Sequence, residues 1–345
     1  MEIFHVTCST DERYLQHCMA MLCSLFEHHR EKMIVVHLLH HDLSGESQRM
    51  LASLADRYGQ SMICHNIDES ALNHVAIADY HPDLSISTYY RLLLPSLLDN
   101  DIHRVLYLDC DVIVLHDLSE LYAMDLSEWG VAAVRDGVPG DDHHRRVMGL
   151  ELDGRAFCAG VMMINLDYWR EHHCQDRMLR FANEMGPKLV MEDQDVLNHE
   201  FRGHWFELPY KYGRTPMAIV PIDAAQRYCD MRDYFFEPSI IHYAAHVKPW
   251  LDIRIPDDKY YWKYVQLSGF PHPVRKVASA YDRKRIKRTK QRYYINFYIR
   301  PMIPDSVEMV VRDIFDLLVL LTYVFRPRKW REYQLRRWLH KYNLK

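Results

Sequence analysis

The chain has 345 residues, 48% apolar and 26% charged, the balance of an ordinary globular protein with one sizeable core and an appendage. Its 12 glycines form no GxGxxG and no GxxxxGK, which excludes a Gly-rich phosphate loop, and its eight cysteines contain no CxxC pair, which argues against a zinc site or disulfide framework and for a reducing compartment. The net charge of −4 hides a split: from Val274 onward 19 Lys and Arg face 6 Asp and Glu, a balance of +13, so the preceding residues carry −17.

Ile3–Cys8 reads as a strand with no basic segment before it, so no secretory leader is expected. Tyr14–His29 has apolar Met19, Leu22, Leu25 and Phe26 at helical spacing. Met33–Leu39 is a second strand, and Ser44 is a helix cap for a segment reaching about Tyr58. Ser61–Asn66 is a third strand, and Ser87–Leu98 is helical up to an interruption at Pro95. Arg104–Asp109 is the strongest buried-strand pattern, followed by a short turn of helix in Leu115–Leu121. Gly130–Arg135 and Val161–Leu166 are further strands, and Asp167 is placed to cap a helix over Tyr168–Glu184. This alternation predicts an α/β fold with a mostly parallel, open sheet.

Three patterns carry chemistry. The first is Val105-Leu106-Tyr107-Leu108-Asp109-Cys110-Asp111, an apolar strand ending in two carboxylates that share one face in extended chain. Ligands of open α/β sheets bind at the carboxyl ends of strands. Two adjacent like charges are unfavourable without a cation between them, and a hard divalent ion bridging carboxylates and a diphosphate suits the place. The second is Ile240-Ile241-His242-Tyr243 followed by Lys248-Pro249-Trp250, which offers an imidazole ligand and a phosphate-binding cation. Alone, it fits a surface His and a solvated Lys better than a ligand pair. The third is Glu192-Asp193-Gln194-Asp195, where acids at a helix start suit the dipole, or face a sugar.

In this order, the pieces resemble the family-8 retaining glycosyltransferases, which include bacterial lipopolysaccharide galactosyl- and glucosyltransferases and the glycogenins. The resemblance runs from Ile3 to about Trp250. It rests on Ser9-Thr10-Asp11-Glu12-Arg13-Tyr14, Ser87-Thr88-Tyr89-Tyr90-Arg91, the Asp109-Cys110-Asp111 strand end, Ala159-Gly160-Val161, Asp193-Gln194-Asp195, and His242 through Trp250. It implies a GT-A fold, a Rossmann-like sheet with helices on both faces. Residues 1–273 would form the catalytic domain, and 274–345 a helical, basic tail.

By the same resemblance, Asp109, Asp111 and His242 hold Mn(II), or Mg(II), on the diphosphate of UDP-glucose or UDP-galactose. Asp11 would accept the uracil N–H, Ser9 would contact the base, and Tyr14 would stack on it. Cys110 would line the donor site and Lys248 would reach the diphosphate. Arg91 and Asp193 would grip the sugar, with Gln194 beneath the anomeric carbon. Three positions depart from the family: Arg13 and Cys158 each stand where Asn is common, and Ala245 replaces a Gly. With no evident carboxylate nucleophile, front-face attack with retention is the expected mechanism. The acceptor would be a saccharide or glycolipid in cell-surface polysaccharide or lipopolysaccharide synthesis. A glycogenin-like self-glucosylating primer and a UDP-sugar-binding pseudoenzyme are the alternatives.

The tail combines Arg283–Arg288, an apolar Val307–Phe325 whose longest uncharged run, Leu317–Phe325, is too short to span a bilayer, and Trp330, Tyr333 and Trp338 among cations. This suits an interfacial anchor on an anionic membrane, hence a cytoplasmic protein peripheral on the inner face, with no nucleic-acid partner. A helix packed on the catalytic body is the competing reading.

Overall fold

A computed structural model describes residues 3–72, 75, 85–136, 142–150, 155–215, 233–234, 237–244, 248–255, 257–284 and 286. Ala245 and the tail from residue 287 therefore lie outside the described residues. Compact packing divides the chain into 1–290 and 291–345.

The strands β1 (Ile3–Ser9), β2 (Met33–His40), β3 (Ser61–Asn66) and β4 (Arg104–Leu108) are parallel neighbours in the order β3-β2-β1-β4. The sheet continues through β7 (Phe157–Asn165), β6 (Val131–Arg135) and β8 (Trp205–Leu208), seven strands among the described residues. Only β7 runs against its neighbours, pairing antiparallel with both β4 and β6. The near-continuous apolar runs of β1, β2 and β4 follow from burial on both faces. Val105 and Tyr107 of β4 join the core formed with residues 86–98 and the helices after β7. Cys8 lies on the other face, where its Sγ is 3.9 Å from Cys18 Sγ of helix α1 (Leu15–Glu27).

The first half matches the expected elements closely. Helix α2 (Gly45–Arg57) is capped by Ser44, whose side chain accepts from the Ser47 N–H, a contact worth about 1 kcal/mol. Five expectations need correction. Ile86–Leu93 is a 3-10 helix that passes into a short α3 (Leu94–Leu97). The helical turn expected at Leu115 begins later, as α4 (Ser119–Tyr122), because β5 (Val112–Val114) is claimed by a distant strand, β9 (Ile240–His242). The segment Tyr168–Glu184 is two helices, α6 (Leu166–Glu171) and α7 (Cys174–Met185), broken where His173 takes a left-handed φ of 51°. The cap of α6 is Asn165, which accepts from the Tyr168 N–H, while Asp167 pairs with His103. Finally, the β7 strand starts at Phe157, four residues before the expected Val161. Helix α5 (Asp142–Val147), helix α8 (Glu192–Glu200) and helix α9 (Asp258–Ser268) complete the set used below. Among the described residues no helix is long and apolar enough to cross a membrane.

Three imidazoles cross β1, β2 and β3 in a row. His5 Nδ1 is 3.1 Å from His37 Nε2, and His37 Nδ1 is 3.1 Å from His65 Nε2. A neutral imidazole has one donor and one acceptor, so the row must align head to tail. Burial, reinforced by the flanking rings, pushes His37 down to about 4. Its folded pKa lies below the unfolded value, so the unfolded state binds the extra proton between pH 6.5 and 4, and stability falls as pH falls. His37 alone should cost about 2 kcal/mol on going from pH 7 to 5. Urea melts at both pH values check this. The His37→Gln variant should lose less stability than the wild type over that range, and an equal loss would remove His37 as the cause.

Candidate functional site

The site grows from the end of β4. The ladder with β7 continues past the strand as Asp109 N–H donates to Gly160 O at 2.9 Å, so Asp109 emerges at the sheet's carboxyl edge. Three residues on, β5 begins and pairs antiparallel with β9 in the register Val112↔His242. Tyr243 N–H donates to Asp111 O at 2.9 Å. This pairing carries an imidazole from 131 positions away onto the paired carboxylates.

Each carboxylate has one oxygen committed and one left over. Asp109 Oδ1 accepts from Arg91 at 2.9 Å and from the Tyr107 hydroxyl at 3.1 Å. Asp111 Oδ2 accepts from the Lys248 ammonium. The remaining Asp111 Oδ1 is buried with no hydrogen-bond partner, although His242 Nε2 stands 3.2 Å away. The same Nε2 is 3.8 Å from Asp109 Oδ2. The three residues offer ligand atoms that all lie within 4.8 Å of one another. A hard divalent cation fits this set: two carboxylate oxygens, one imidazole nitrogen and an orphaned buried acceptor in need of a partner. The space is kept clear by Gly160, where a Cβ would fall 2.2 Å from His242 Cε1 and 2.7 Å from Asp109 Oδ2.

The electrostatics follow from packing. Burial opposes the charge on Asp111, but Lys248 and His242 outweigh it and hold the carboxyl far below its ordinary range. Burial likewise opposes protonation of His242, and Cys158, whose Sγ is 3.5 Å from Nδ1, together with Asp111 raises it. A bound cation at Nε2 would replace that proton.

Arg91 is the hub of the donor side. It donates from Nε to Thr88 O, from one terminal nitrogen to Ala159 O at 2.7 Å and from the other to Asp109, while its guanidinium lies 4.1 Å from the Tyr107 ring centroid. Its Nε is also 3.1 Å from Asp193 Oδ2. Asp193 Oδ1 accepts from the Thr88 hydroxyl, and its Oδ2 is buried without a hydrogen bond. Burial, only partly offset by Arg91, pushes Asp193 up to about 6.

The acidic start of α8 is thus no solvated helix end: Glu192, Asp193 and Asp195 are all buried. Glu192 takes a left-handed φ of 45°, strain that a non-glycine residue tolerates only where its surroundings enforce it. Asp195 fixes the turn by accepting from the Val190 and Met191 N–H groups and by pairing with His144 of α5. Gln194 is held at both ends: its Oε1 accepts from Ala159 N–H at 3.0 Å and its Nε2 donates to Asp136 at 2.8 Å.

A cleft of about 130 Å³, open to solvent, brings the expected donor residues together. Ser9, Asp11, Tyr14, Thr88, Arg91, Asp109, Cys110, Asp111 and Lys248 all line it. Ser9 Oγ is buried there without a hydrogen-bond partner. Asp11 caps the turn ahead of α1 by accepting from Tyr14 N–H, and its second oxygen takes a fork from Arg13. Cys110 turns its thiol onto Ser9 O. His242, Asp193 and Gln194 are not in this lining; His242 connects to it through Asp111, Asp193 through Thr88, and Gln194 by way of Ala159, whose carbonyl accepts from Arg91. Thr88 and Gly160 were legible only as motif members without a role, and Asp136, at the end of β6, carries no sequence signal.

The comparisons agree with this architecture. The family model for glycosyl transferase family 8 matches residues 5–254. General stress protein A of Bacillus subtilis is 27% identical over 262 residues, covering 72% of this chain and 88% of that protein. The lipopolysaccharide 1,2-glucosyltransferase of Escherichia coli is 26% identical over 290 residues, covering 82% and 84%. Larger streptococcal relatives are matched over 56% or less of their own length. Among solved structures, the galactosyltransferase LgtC with donor and acceptor sugar analogs superposes with a TM-score of 0.68 at 22% identity, over 82% of this chain and all of that one. The sheet order and that superposition make this a GT-A-type fold. With a family match over most of its length, the chain belongs to glycosyl transferase family 8 and is a glycosyltransferase.

Proposed function

We propose that the protein is a metal-dependent, retaining hexosyltransferase that uses UDP-glucose or UDP-galactose and builds cell-surface polysaccharide or lipopolysaccharide. The observation that carries this reading is the set of three unspent ligand atoms, on Asp109, Asp111 and His242, beside a cleft lined by Lys248. Mn(II) or Mg(II) bound there would neutralise the charge that develops on the departing diphosphate. Lys248 adds a second positive charge on the same side. Asp11 would accept the uracil N–H, the orphan Ser9 hydroxyl would meet the base, and Tyr14 supplies the flat face for stacking.

Asp193 has the strongest case for the sugar. Its Oδ2 is a buried acceptor that receives no hydrogen bond although Arg91 Nε stands 3.1 Å away, and Arg91 and Thr88 lock the carboxyl in one orientation. Retention then needs a front-face route rather than a covalent one. Asp193 is already held by a cation and a hydroxyl, and Asp195 is sealed from solvent with both oxygens engaged. Gln194 Oε1 is occupied by a backbone N–H, so its amide serves better to shape the wall below the sugar than to stabilise a cation. Asp193→Asn should lower kcat by roughly 10²-fold, the scale of losing one transition-state contact, and leave UDP affinity within about twofold. Calorimetry with UDP in Mn(II) and a turnover assay check this. An equal loss of UDP affinity would move Asp193 to the nucleotide site or the fold.

The acceptor is a saccharide or glycolipid, and the tail is assigned to an anionic membrane surface, which would make the protein peripheral on the cytoplasmic face. Support comes from the segment leading into the tail, where exposed Val274, Val277 and Tyr281 alternate with Arg275, Lys276, Arg283 and Lys284. That segment still holds to the body: Val274 N–H donates to Gln16, and Arg283 pairs with Asp252. A truncation should therefore follow Lys290 rather than precede Val274. The truncated protein should melt like the full chain and sediment less with phosphatidylserine vesicles. A lower melting temperature with unchanged sedimentation would favour a tail packed on the body.

A further inference from the structure

His17 lies on α1, one turn after Tyr14, and has no place in the ligand set or the cleft lining. It is 4% exposed and makes three aromatic contacts. Its ring stacks on the indole of Trp250 with centroids 3.6 Å apart and planes at 16°. Tyr14 meets both rings edge-on, at 5.1 Å from His17 and 5.9 Å from Trp250. The third contact is Tyr261 of α9, 5.8 Å between centroids.

A chain of hydrogen bonds fixes the ring's orientation. Val274 N–H donates to Gln16 Oε1 at 2.7 Å, which turns the Gln16 amide nitrogen to Tyr261 Oη at 2.7 Å. The Tyr261 hydroxyl, having accepted from Gln16, has its own proton to give, and His17 Nδ1 is 2.6 Å away. His17 is therefore a neutral ring with its proton on Nε2 and its face pressed on Trp250. Trp250 is held at its main chain as well, where Lys276 N–H donates to Trp250 O at 2.8 Å, and Trp262 Nε1 donates to Pro249 O at 3.0 Å. The side chain two residues back is Lys248, whose ammonium lies 5.7 Å from the Trp250 ring centroid and bonds to Asp111.

Lys248 directly precedes Pro249 and Trp250, so whatever holds those two residues helps to set its backbone, while its ammonium bonds to Asp111 and to Tyr243 O. We propose that His17 is a positioning residue for nucleotide binding: by stacking on Trp250 it sets Lys248 against the diphosphate side of the cleft and ties it to Tyr14 on the base side. The inference rests on the reading above that Lys248 contacts the diphosphate. It makes the base half and the phosphate half of the donor site one rigid unit, with His17 as the shared support. Stacking, not charge, is the property that matters, so a phenyl ring should replace the imidazole and a methyl group should not.

The test is a double-mutant cycle on UDP affinity, measured by calorimetry in Mn(II) with the full chain. Lys248→Ala should weaken UDP binding about tenfold or more. His17→Ala should weaken it roughly five- to tenfold, raising KM for the UDP-sugar far more than it lowers kcat, and His17→Phe should stay within about twofold of the wild type. In the Lys248→Ala background, His17→Ala should add less than about twofold, because the group it positions is gone. A full additional loss in that background would overturn the proposal and make His17 a general support of the fold. So would His17→Ala and His17→Phe giving equal losses. An unchanged UDP affinity in Lys248→Ala alone would instead remove Lys248 from the diphosphate, and the route from His17 with it.

Discussion

Asp111→Asn should abolish transfer, by about 10²-fold or more, and should leave the protein folded. The carboxylate is buried between Lys248 and His242, and its Oδ1 accepts no hydrogen bond among the described residues, with His242 Nε2 3.2 Å away. The amide keeps the shape and could still accept from Lys248, but it removes the charge that holds a divalent cation. Asp109→Asn should act in the same direction, with an added cost, because Asp109 Oδ1 also anchors Arg91. EDTA should mimic both changes and be reversed by Mn(II), which the substitutions are not. Electron paramagnetic resonance of free Mn(II) against protein in the presence of UDP reads the binding directly. Retained Mn(II) affinity in Asp111→Asn would remove this residue from the metal site.

Gly160→Ala should have an effect of similar size for a purely steric reason. The added Cβ would meet His242 Cε1 at 2.2 Å, His242 Nε2 at 2.6 Å and Asp109 Oδ2 at 2.7 Å. Real Cβ atoms do not approach so closely, so at least one ligand must move. No positive φ is involved at this glycine, hence the backbone should tolerate alanine and the melting temperature should change little. Mn(II) affinity should fall by about tenfold or more, the range seen when ligand orientation is disturbed. Normal Mn(II) affinity in a folded Gly160→Ala protein would show that His242 and Asp109 have other positions to occupy.

Much of the sheet was legible because its central strands are buried on both faces: β1, β2, β4 and β6 were placed within two residues by their apolar runs, and the mostly exposed edge strand β3 was placed as closely without such burial. What failed was non-local. Val112–Val114 is a strand only because Ile240–His242 pairs with it, and a three-residue run carries no period. The break at His173 is likewise invisible, since the apolar spacing continues across it and only the left-handed backbone marks it. In the site, residue types at fixed spacing identified Asp109 and Asp111, whose arrangement is set within one strand end. His242 needed the resemblance, because its approach depends on the β5–β9 register. Gly160 and Thr88 had no individual meaning until their neighbours were in place, and that the Gln194 carbonyl is taken by the Ala159 N–H could not be read from the residues. Asp136 and His17 show the same limit: each acts through a partner far along the chain, Gln194 and Trp250.

The central claim is that this chain cleaves a UDP-hexose with a metal held by Asp109, Asp111 and His242. Its most direct test is UDP release from UDP-glucose and UDP-galactose, followed in Mn(II) without acceptor, before and after the protein is stripped with EDTA. The account predicts slow release with at least one of the two donors, lost on stripping and restored when Mn(II) is returned. Undiminished release from the stripped protein, or no release from any UDP-hexose with Mn(II) bound, would contradict it.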